Sequence, residues 1–261
     1  MMAEREAWVY KAKLAENAER YDDMVAAVKE VAASGEGLSV EERVMFSVAY
    51  ANLIGSARAS WRVVSSILKR EERLEEKVER RVRLARALVR KLEGEMDSIC
   101  QECVDLIDDH FLPSASDLDS QTFFLKQYAF IYFSFTFALH AKGDYLRYKA
   151  EYASGERYQE AIEAARQAYQ SATDVAQELP PTHLNRMGLA LNFCVFYREC
   201  MQSPYKACQI AEQAVDEANN HLNRTGQEDR DARLVMQLLE DNLTLWASEM
   251  QKTHHEGQKT D

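Results

Sequence analysis

The sequence predicts an all-α fold, and three observations carry that expectation. Helix breakers are scarce, with 9 glycines and 4 prolines in 261 residues. Runs of Ala, Glu, Leu, Lys and Arg repeat with helical period over most of the length. The breaks that do occur are short, so successive helices should pack antiparallel in a bundle of about nine.

Taken in order, the elements are justified as follows. MMAEREAWVYKAKLAE at the N-terminus is charged and amphipathic, without the apolar core and cleavage site of an export signal. The first break is SGEGLSVEE (Ser34 to Glu42), in which Ser39 and Glu42 have the spacing of a capping box and open the next helix. Cys100 and Cys103 form a CxxC at i, i+3, an ordinary core spacing on an amphipathic helix; with no second pair and no paired histidines it is a poor zinc or redox motif. FLPSASDLDS (Phe111 to Ser120) breaks the chain again. Two near copies follow, SQTFFLKQ (Ser120 to Gln127) and SFTFALHA (Ser134 to Ala141), separated by the apolar YAFIYF, with Lys126 answered by His140. The run from Phe123 to Ala141 approaches membrane-span length, but Lys126 near one end and flanks of soluble type argue against a span. ASGERY (Ala153 to Tyr158), LPPTH (Leu179 to His183), QSP (Gln202 to Pro204) and NRTGQED (Asn223 to Asp229) separate the later helices, and Pro204 suits a first helical turn. After Met250 the tail QKTHHEGQKTD lacks periodic apolar residues, so a single helical domain over residues 1–250 with a disordered tail over 251–261 is expected.

Composition removes several classes of function. A net charge of -11 argues against non-specific nucleic-acid binding, which needs a basic surface, so any anion site must be local. The five cysteines, Cys100, Cys103, Cys194, Cys200 and Cys208, are odd in number and sit within helical patterns, as reduced thiols in the cytosol would. There is no glycine-rich phosphate loop, nucleophile motif or credible metal cluster, so an enzyme is not expected. The positive signal is a pair of asparagines. In GLALNFCVFYRE (Gly188 to Glu199) and VMQLLEDNLTLW (Val235 to Trp246), Asn192 and Asn242 each interrupt an otherwise apolar helical stripe. Two amides facing one groove could hold the main chain of an extended peptide while neighbouring Leu and Val side chains take its side chains. Two core asparagines bonded to local backbone are the plainer alternative.

Several stretches then carry a resemblance. KAKLAENAERYDDM (Lys11 to Met24), LSVEERVMFSVAYANLIG (Leu38 to Gly55), ASWRVVSSI (Ala59 to Ile67), KGDYLRYKAE (Lys142 to Glu151), PTHLNRMGLALNFCVFYRE (Pro181 to Glu199) and MQLLEDNLTLW (Met236 to Trp246) resemble the 14-3-3 proteins, in order, from about Trp8 to Gln251. The resemblance implies a nine-helix, cup-shaped protomer that dimerises through its N-terminal helices and binds phosphoserine or phosphothreonine peptides in an amphipathic groove. It implies phosphorylated client proteins and a like or related subunit as partners, no nucleic-acid or membrane partner, no cofactor, and a cytoplasmic or also nuclear location. Residue by residue, Arg58 and Arg147 match the phosphate-binding arginines and Tyr148 the phosphate-binding tyrosine. Planar guanidinium groups suit a dianion through bidentate hydrogen bonds. Glu151, at i+4 from Arg147, can hold that guanidinium in place. Asn192 and Asn242 match residues that grip the ligand backbone; Leu191, Val195, Val235, Leu238 and Leu245 match the apolar wall, and Glu199 and Trp246 polar contacts at its edge. Leu14, Ala18, Arg20 and Asp23, assigned to the first helix, and Ser60, Lys91 and Glu95 match the dimer interface.

Three departures from the family stand out. The family's pocket lysine should lie two turns before Arg58, where this chain has Ala51. One lost charge-assisted hydrogen bond is worth roughly 1.5 to 3 kcal/mol, an expected affinity loss of about tenfold to a hundredfold. Gln127 to Ala141 stand where the family has a single residue, and fourteen extra helical residues would carry Lys126 about 21 Å from Arg147. The duplication suggests that SFTFALHA replaces SQTFFLKQ in the helix leading to Arg147. His140 would then take the place of a groove lysine, and the first copy would bulge out or extend the helix at its start; a retained intron would also account for the composition. Leu88 stands where an aromatic hydroxyl is usual at the dimer surface, a change that keeps packing and loses one hydrogen bond.

Overall fold

The computed structural model describes residues 2–34, 38–74, 78–111, 124–226 and 229–257. Side chains of 2, 3, 40, 111, 124–135 and 252–257 lie outside the described set, and Lys126 with most of the duplicated segment is among them. The expected break at Phe111–Ser120 falls largely outside it as well. Among the described residues the architecture is nine α-helices with no strand, in two compact units, Met1–Asp117 and Leu118–Asp261. None of these helices is long and apolar enough to cross a membrane.

The first unit contains α1 (Met2–Asn17), α2 (Tyr21–Ala33), α3 (Val40–Arg73) and α4 (Glu79–Leu106), the last continued by a π-helical turn over Ile107–Phe111. The capping box at the start of α3 is formed in full: Glu42 N donates to Ser39 Oγ (3.2 Å) and Ser39 N to Glu42 Oε2 (2.7 Å). Arg5 of α1 meets the same carboxylate through both Nε and Nη2, each at 2.9 Å, so one glutamate caps α3 and pins α1 to it. Tyr50 is fully buried, and its hydroxyl is satisfied by donating to Glu102 Oε1 at 2.7 Å. Lys29 Nζ reaches the other oxygen of Glu102 at 2.6 Å, joining α2, α3 and α4. Cys100 and Cys103 are both fully buried on the inner face of α4.

Two helix ends differ from the sequence expectation. α1 stops at Asn17 because Glu19 takes a left-handed conformation (φ 52°) and Arg20 N bonds back to Ala15 O at 2.9 Å. Ala18, Arg20 and Asp23 therefore do not belong to the first helix: Ala18 lies in the turn, Arg20 is the residue before α2, and Asp23 sits in the first turn of α2. α9, in contrast, runs on to Gly257, past the Met250 boundary, since no helix breaker intervenes before that glycine.

The second unit contains α5 (Phe124–Tyr152), α6 (Glu156–Ala176), α7 (Leu184–Glu199), α8 (Pro204–Thr225) and α9 (Arg230–Gly257). α5 is one continuous helix, so the insertion extends it at its N-terminal side. Gly155, at φ 61°, makes the tight turn into α6. Pro204 opens α8 in its first turn. α7 has an apolar core on each side. Leu189, Phe193 and Phe196 pack with Ala161, Ala165 and Tyr169 of α6 and Ala150 of α5. Met187 and Cys194 pack with α8 and α9, against Ala211, Val215, Met236, Leu239 and Trp246. A helix buried on both sides reads as apolar nearly all round. Asn192 lies on this helix, where a polar group needs a partner.

Candidate functional site

The candidate site in the second unit is built on the last four turns of α5. Asp144, Arg147 and Glu151 follow one another at i, i+3 and i+7, one face of the helix. The guanidinium of Arg147, only 8% exposed, is held on several sides. Its Nε donates to the hydroxyl of Tyr169 at 3.3 Å, and its plane lies 4.6 Å from the ring centre of Tyr148. Nη2 stands 3.7 Å from Asp144 Oδ1 and Nη1 3.7 Å from Glu151 Oε1, ion pairs longer than hydrogen bonds. Burial pulls the guanidinium pKa down, but Tyr169, Asp144 and Tyr148 outweigh it and raise the pKa above its ordinary value. The side chain is thus an oriented, permanently charged cation.

Asp144 organises this cluster, and its carboxylate accepts from two residues. Tyr169 of α6 donates its hydroxyl to Oδ1; Asn192 of α7 gives its amide nitrogen to both oxygens, at 3.1 and 2.9 Å. His140, one turn earlier on α5, places Nε2 3.5 Å from Oδ2 and 2.9 Å from the Asn192 amide nitrogen. Burial and then the Asp144 charge push the Tyr169 hydroxyl pKa well up, against the opposing effect of the Arg147 guanidinium. It therefore stays protonated and can serve as the donor.

The expected residues divide according to this geometry. Arg147, Tyr148, Glu151, His140 and Asn192 come together around one end of α5. Leu191, Val195 and Val235 are half-buried against the α7–α8–α9 core, and Asn242 is half-buried on α9. Leu238 and Leu245, on the same α9, are 46% and 53% exposed, and Glu199 is exposed. Trp246 is 5% exposed and packs in the core between α7, α8 and α9, so its indole is mainly a packing element rather than a polar edge. The side chain of Lys126 lies outside the described residues. Asp144 and Tyr169 are the functional candidates that the sequence reading missed. Asp144 was within reach, four residues after His140 and three before Arg147; Tyr169, on another helix, has no local signal.

Arg58 and Ala51 belong to α3 of the first unit, seven residues apart and so on one helical face. Arg58 is half-buried and Ala51 exposed. The expected dimer residues are all in this unit. Leu14 is 51% exposed, and Ala18 and Ser60 are exposed. Arg20 pairs with Asp23, and Lys91 with Glu95 at 3.5 Å, all four side chains facing solvent to a large extent.

Similarity to known proteins agrees with this arrangement. The 14-3-3 protein family model matches residues 11–132 and 133–247, two stretches that meet inside the extended α5. Protein BMH2 of Saccharomyces cerevisiae is 47% identical over 260 residues, covering 99% of this chain and 90% of its own. A 14-3-3-like protein of Chlamydomonas reinhardtii is 49% identical over 257 residues (96% and 92%), and 14-3-3 protein zeta of Bombyx mori 46% over 253 residues (96% and 95%). On helical architecture, family match and near full-length identity together, this chain belongs to the 14-3-3 family.

Proposed function

We propose that the chain is a dimeric adaptor that binds phosphoserine or phosphothreonine segments of client proteins and holds them along the face formed by α5, α7 and α9. The observation that carries this reading is Arg147, a nearly buried cation oriented by Tyr169, Asp144 and Glu151 on the helix that also supports Asn192 through Asp144. On α7 and α9 of the same unit, Leu191, Val195 and Val235 offer half-buried apolar surface and Leu238 and Leu245 exposed surface, suited to the side chains of an extended ligand. Tyr148 supplies a neutral donor, and Asn242 a second amide on α9. The family resemblance assigns Arg58 to the same phosphate.

The charge around Arg147 gives Ala51 its importance. Asp144 and Glu151 flank the guanidinium and offset its charge, so a phosphate dianion depends on cations from other helices. Ala51 stands where the family resemblance places one of them. That substitution also supports a second reading, a regulatory or heterodimer partner subunit that holds clients independently of phosphate.

Fluorescence polarisation of an arginine-rich phosphoserine peptide and its unphosphorylated twin, at moderate salt, separates the two. The expected result is phosphate-dependent binding that is lost in Arg58→Ala and in Arg147→Ala. Ala51→Lys is expected to tighten it by about tenfold to a hundredfold. Equal, weak binding of both peptides would favour the partner-subunit reading, and an unchanged affinity in Ala51→Lys would sink the missing-cation argument.

A further inference from the structure

The contact between His140 and Asn192 determines how both side chains are used. An amide nitrogen and an amide oxygen look alike in outline, so the assignment rests on the partners. One terminal atom of Asn192 faces both oxygens of Asp144, at 3.1 and 2.9 Å, which an oxygen could not do beside a carboxylate; it is the NH2 group. His140 Nε2 stands 2.9 Å from that same nitrogen. Two N–H donors cannot face each other at that distance, so Nε2 is the acceptor and the ring proton sits on Nδ1. The ring lies against α7: a Cβ at Gly188 would be in ordinary van der Waals contact with it, 3.9 Å from His140 Cε1.

We propose that His140 is a positioning residue for Asn192: its neutral imidazole, protonated on Nδ1, accepts from the amide NH2 and fixes the carbonyl oxygen of Asn192 toward the ligand. The inference rests on the groove reading above and goes beyond it by giving Asn192 a polarity. With its NH2 committed to Asp144 and His140, Asn192 offers an acceptor, so the ligand must bring a main-chain N–H, and proline at that position of the peptide is disfavoured. The lysine that relatives place in this groove has no acceptor and could not do the same.

A protonated ring would reverse the arrangement. Nε2–H could only donate to Asp144 Oδ2, now 3.5 Å away, and would expel the Asn192 amide from its place. Among the described residues, the charged or titratable groups around the ring are Asp144 and Arg147 on α5 and Tyr169 on α6, whose ring centre is 6.3 Å away; Asn192 and Gly188 are the neutral neighbours on α7. Burial lowers the imidazole pKa, Asp144 opposes that shift and Arg147 adds to it, with a net value below the ordinary 6.5. The acceptor form therefore holds at neutral pH and is lost as pH falls through that lowered value.

Two measurements test this on the full chain. Long-range proton–nitrogen correlation of 15N-labelled histidine reads the tautomer directly, with His140→Gln assigning the signal among the 6 histidines. The expected signal at neutral pH is protonated Nδ1 and unprotonated Nε2; the opposite tautomer, or a doubly protonated ring, overturns the proposal whether or not any peptide binds. The second measurement compares phosphopeptide affinity at pH 7.5 and at a pH below the imidazole value that the same nitrogen signals report, in wild type, His140→Gln and His140→Lys. Phosphate loses charge over the same range in all three, so the comparison is between ratios. The wild-type ratio should exceed that of either variant by about fivefold. Equal ratios overturn the positioning role, whereas absence of phosphate-dependent binding at pH 7.5 would overturn the groove reading and leave the tautomer measurement to decide this one.

Discussion

Gly143 shows how much of this site depends on one absent methyl group. A Cβ at this position would lie 2.8 and 2.9 Å from Cδ1 and Cε1 of Tyr169, closer than packed carbons tolerate. Tyr169 has nowhere to retreat: it is fully buried, stacked on Phe193 at 5.3 Å and tilted on Phe196 at 5.4 Å, and its hydroxyl is committed to Asp144. Gly143→Ala is therefore expected to destabilise by about 1–3 kcal/mol, despite the better helix propensity of alanine. Gly94, in the middle of α4, meets nothing within 4 Å of its Cβ position, and there the same change should stabilise by about 0.5–1 kcal/mol. Urea unfolding of both variants tests the pair, and equal effects would contradict the close-approach argument. From sequence alone both glycines are helix-interior costs, because the difference lies in a ring 26 residues away. The Arg147–Glu151 pair was legible for the opposite reason, both partners lying on one turn of one helix.

Helix starts were easier to read than helix ends. Ser39 with Glu42 and Pro204 announce α3 and α8 because capping needs particular side chains at fixed offsets. The break between α1 and α2 has no glycine or proline; Glu19 adopts the left-handed conformation under tertiary control, and the sequence reading passed over it. The end of α3 at Arg73 was missed for a similar reason, since Leu74 simply turns extended. α5 is the clearest gain of the three-dimensional view. Its continuity puts the second copy of the duplicated segment, with His140, beside Asn192.

The α1–α3 junction also carries a pH dependence. Burial would raise the Glu42 pKa, but Arg5 and the Ser39 backbone and hydroxyl outweigh it and hold the carboxyl below its ordinary range. A group with a depressed folded-state value contributes stability that is complete above the unfolded value, near 4.3, and disappears as pH falls through the folded one. Glu42→Gln should thus cost about 1–3 kcal/mol at pH 7, and the gap from wild type should narrow as pH falls below the unfolded value toward 3. Chemical denaturation at both pH values checks it; a gap that stayed constant would mean that the charge of Glu42 contributes nothing.

At the scale of the molecule, the first unit exposes several large apolar side chains on its helices. Leu14 on α1, Val63 and Ile67 on α3, and Leu84 and Leu88 on α4 are 51%, 60%, 39%, 61% and 45% exposed. Scattered apolar residues are normal on a surface, but these fall on the helices to which the resemblance assigns the dimer contact. Covering them with a second copy removes apolar surface from water at about 25 cal/mol per Å2, and the isologous symmetry of a two-fold contact uses each residue twice. The Lys91–Glu95 and Arg20–Asp23 pairs are exposed and worth little to the stability of a single protomer. Sedimentation velocity at micromolar concentration is expected to show a wild-type dimer, and Leu14→Glu combined with Leu84→Glu a monomer with unchanged helical circular dichroism. On the proposed adaptor reading, two joined grooves would hold a doubly phosphorylated peptide through effective concentration, so the monomeric variant should lose about a hundredfold in affinity for that peptide while keeping its affinity for the singly phosphorylated one. Equal losses for both peptides would show that the first-unit surface supports the groove itself, and a variant that still sediments as a dimer would move the interface elsewhere.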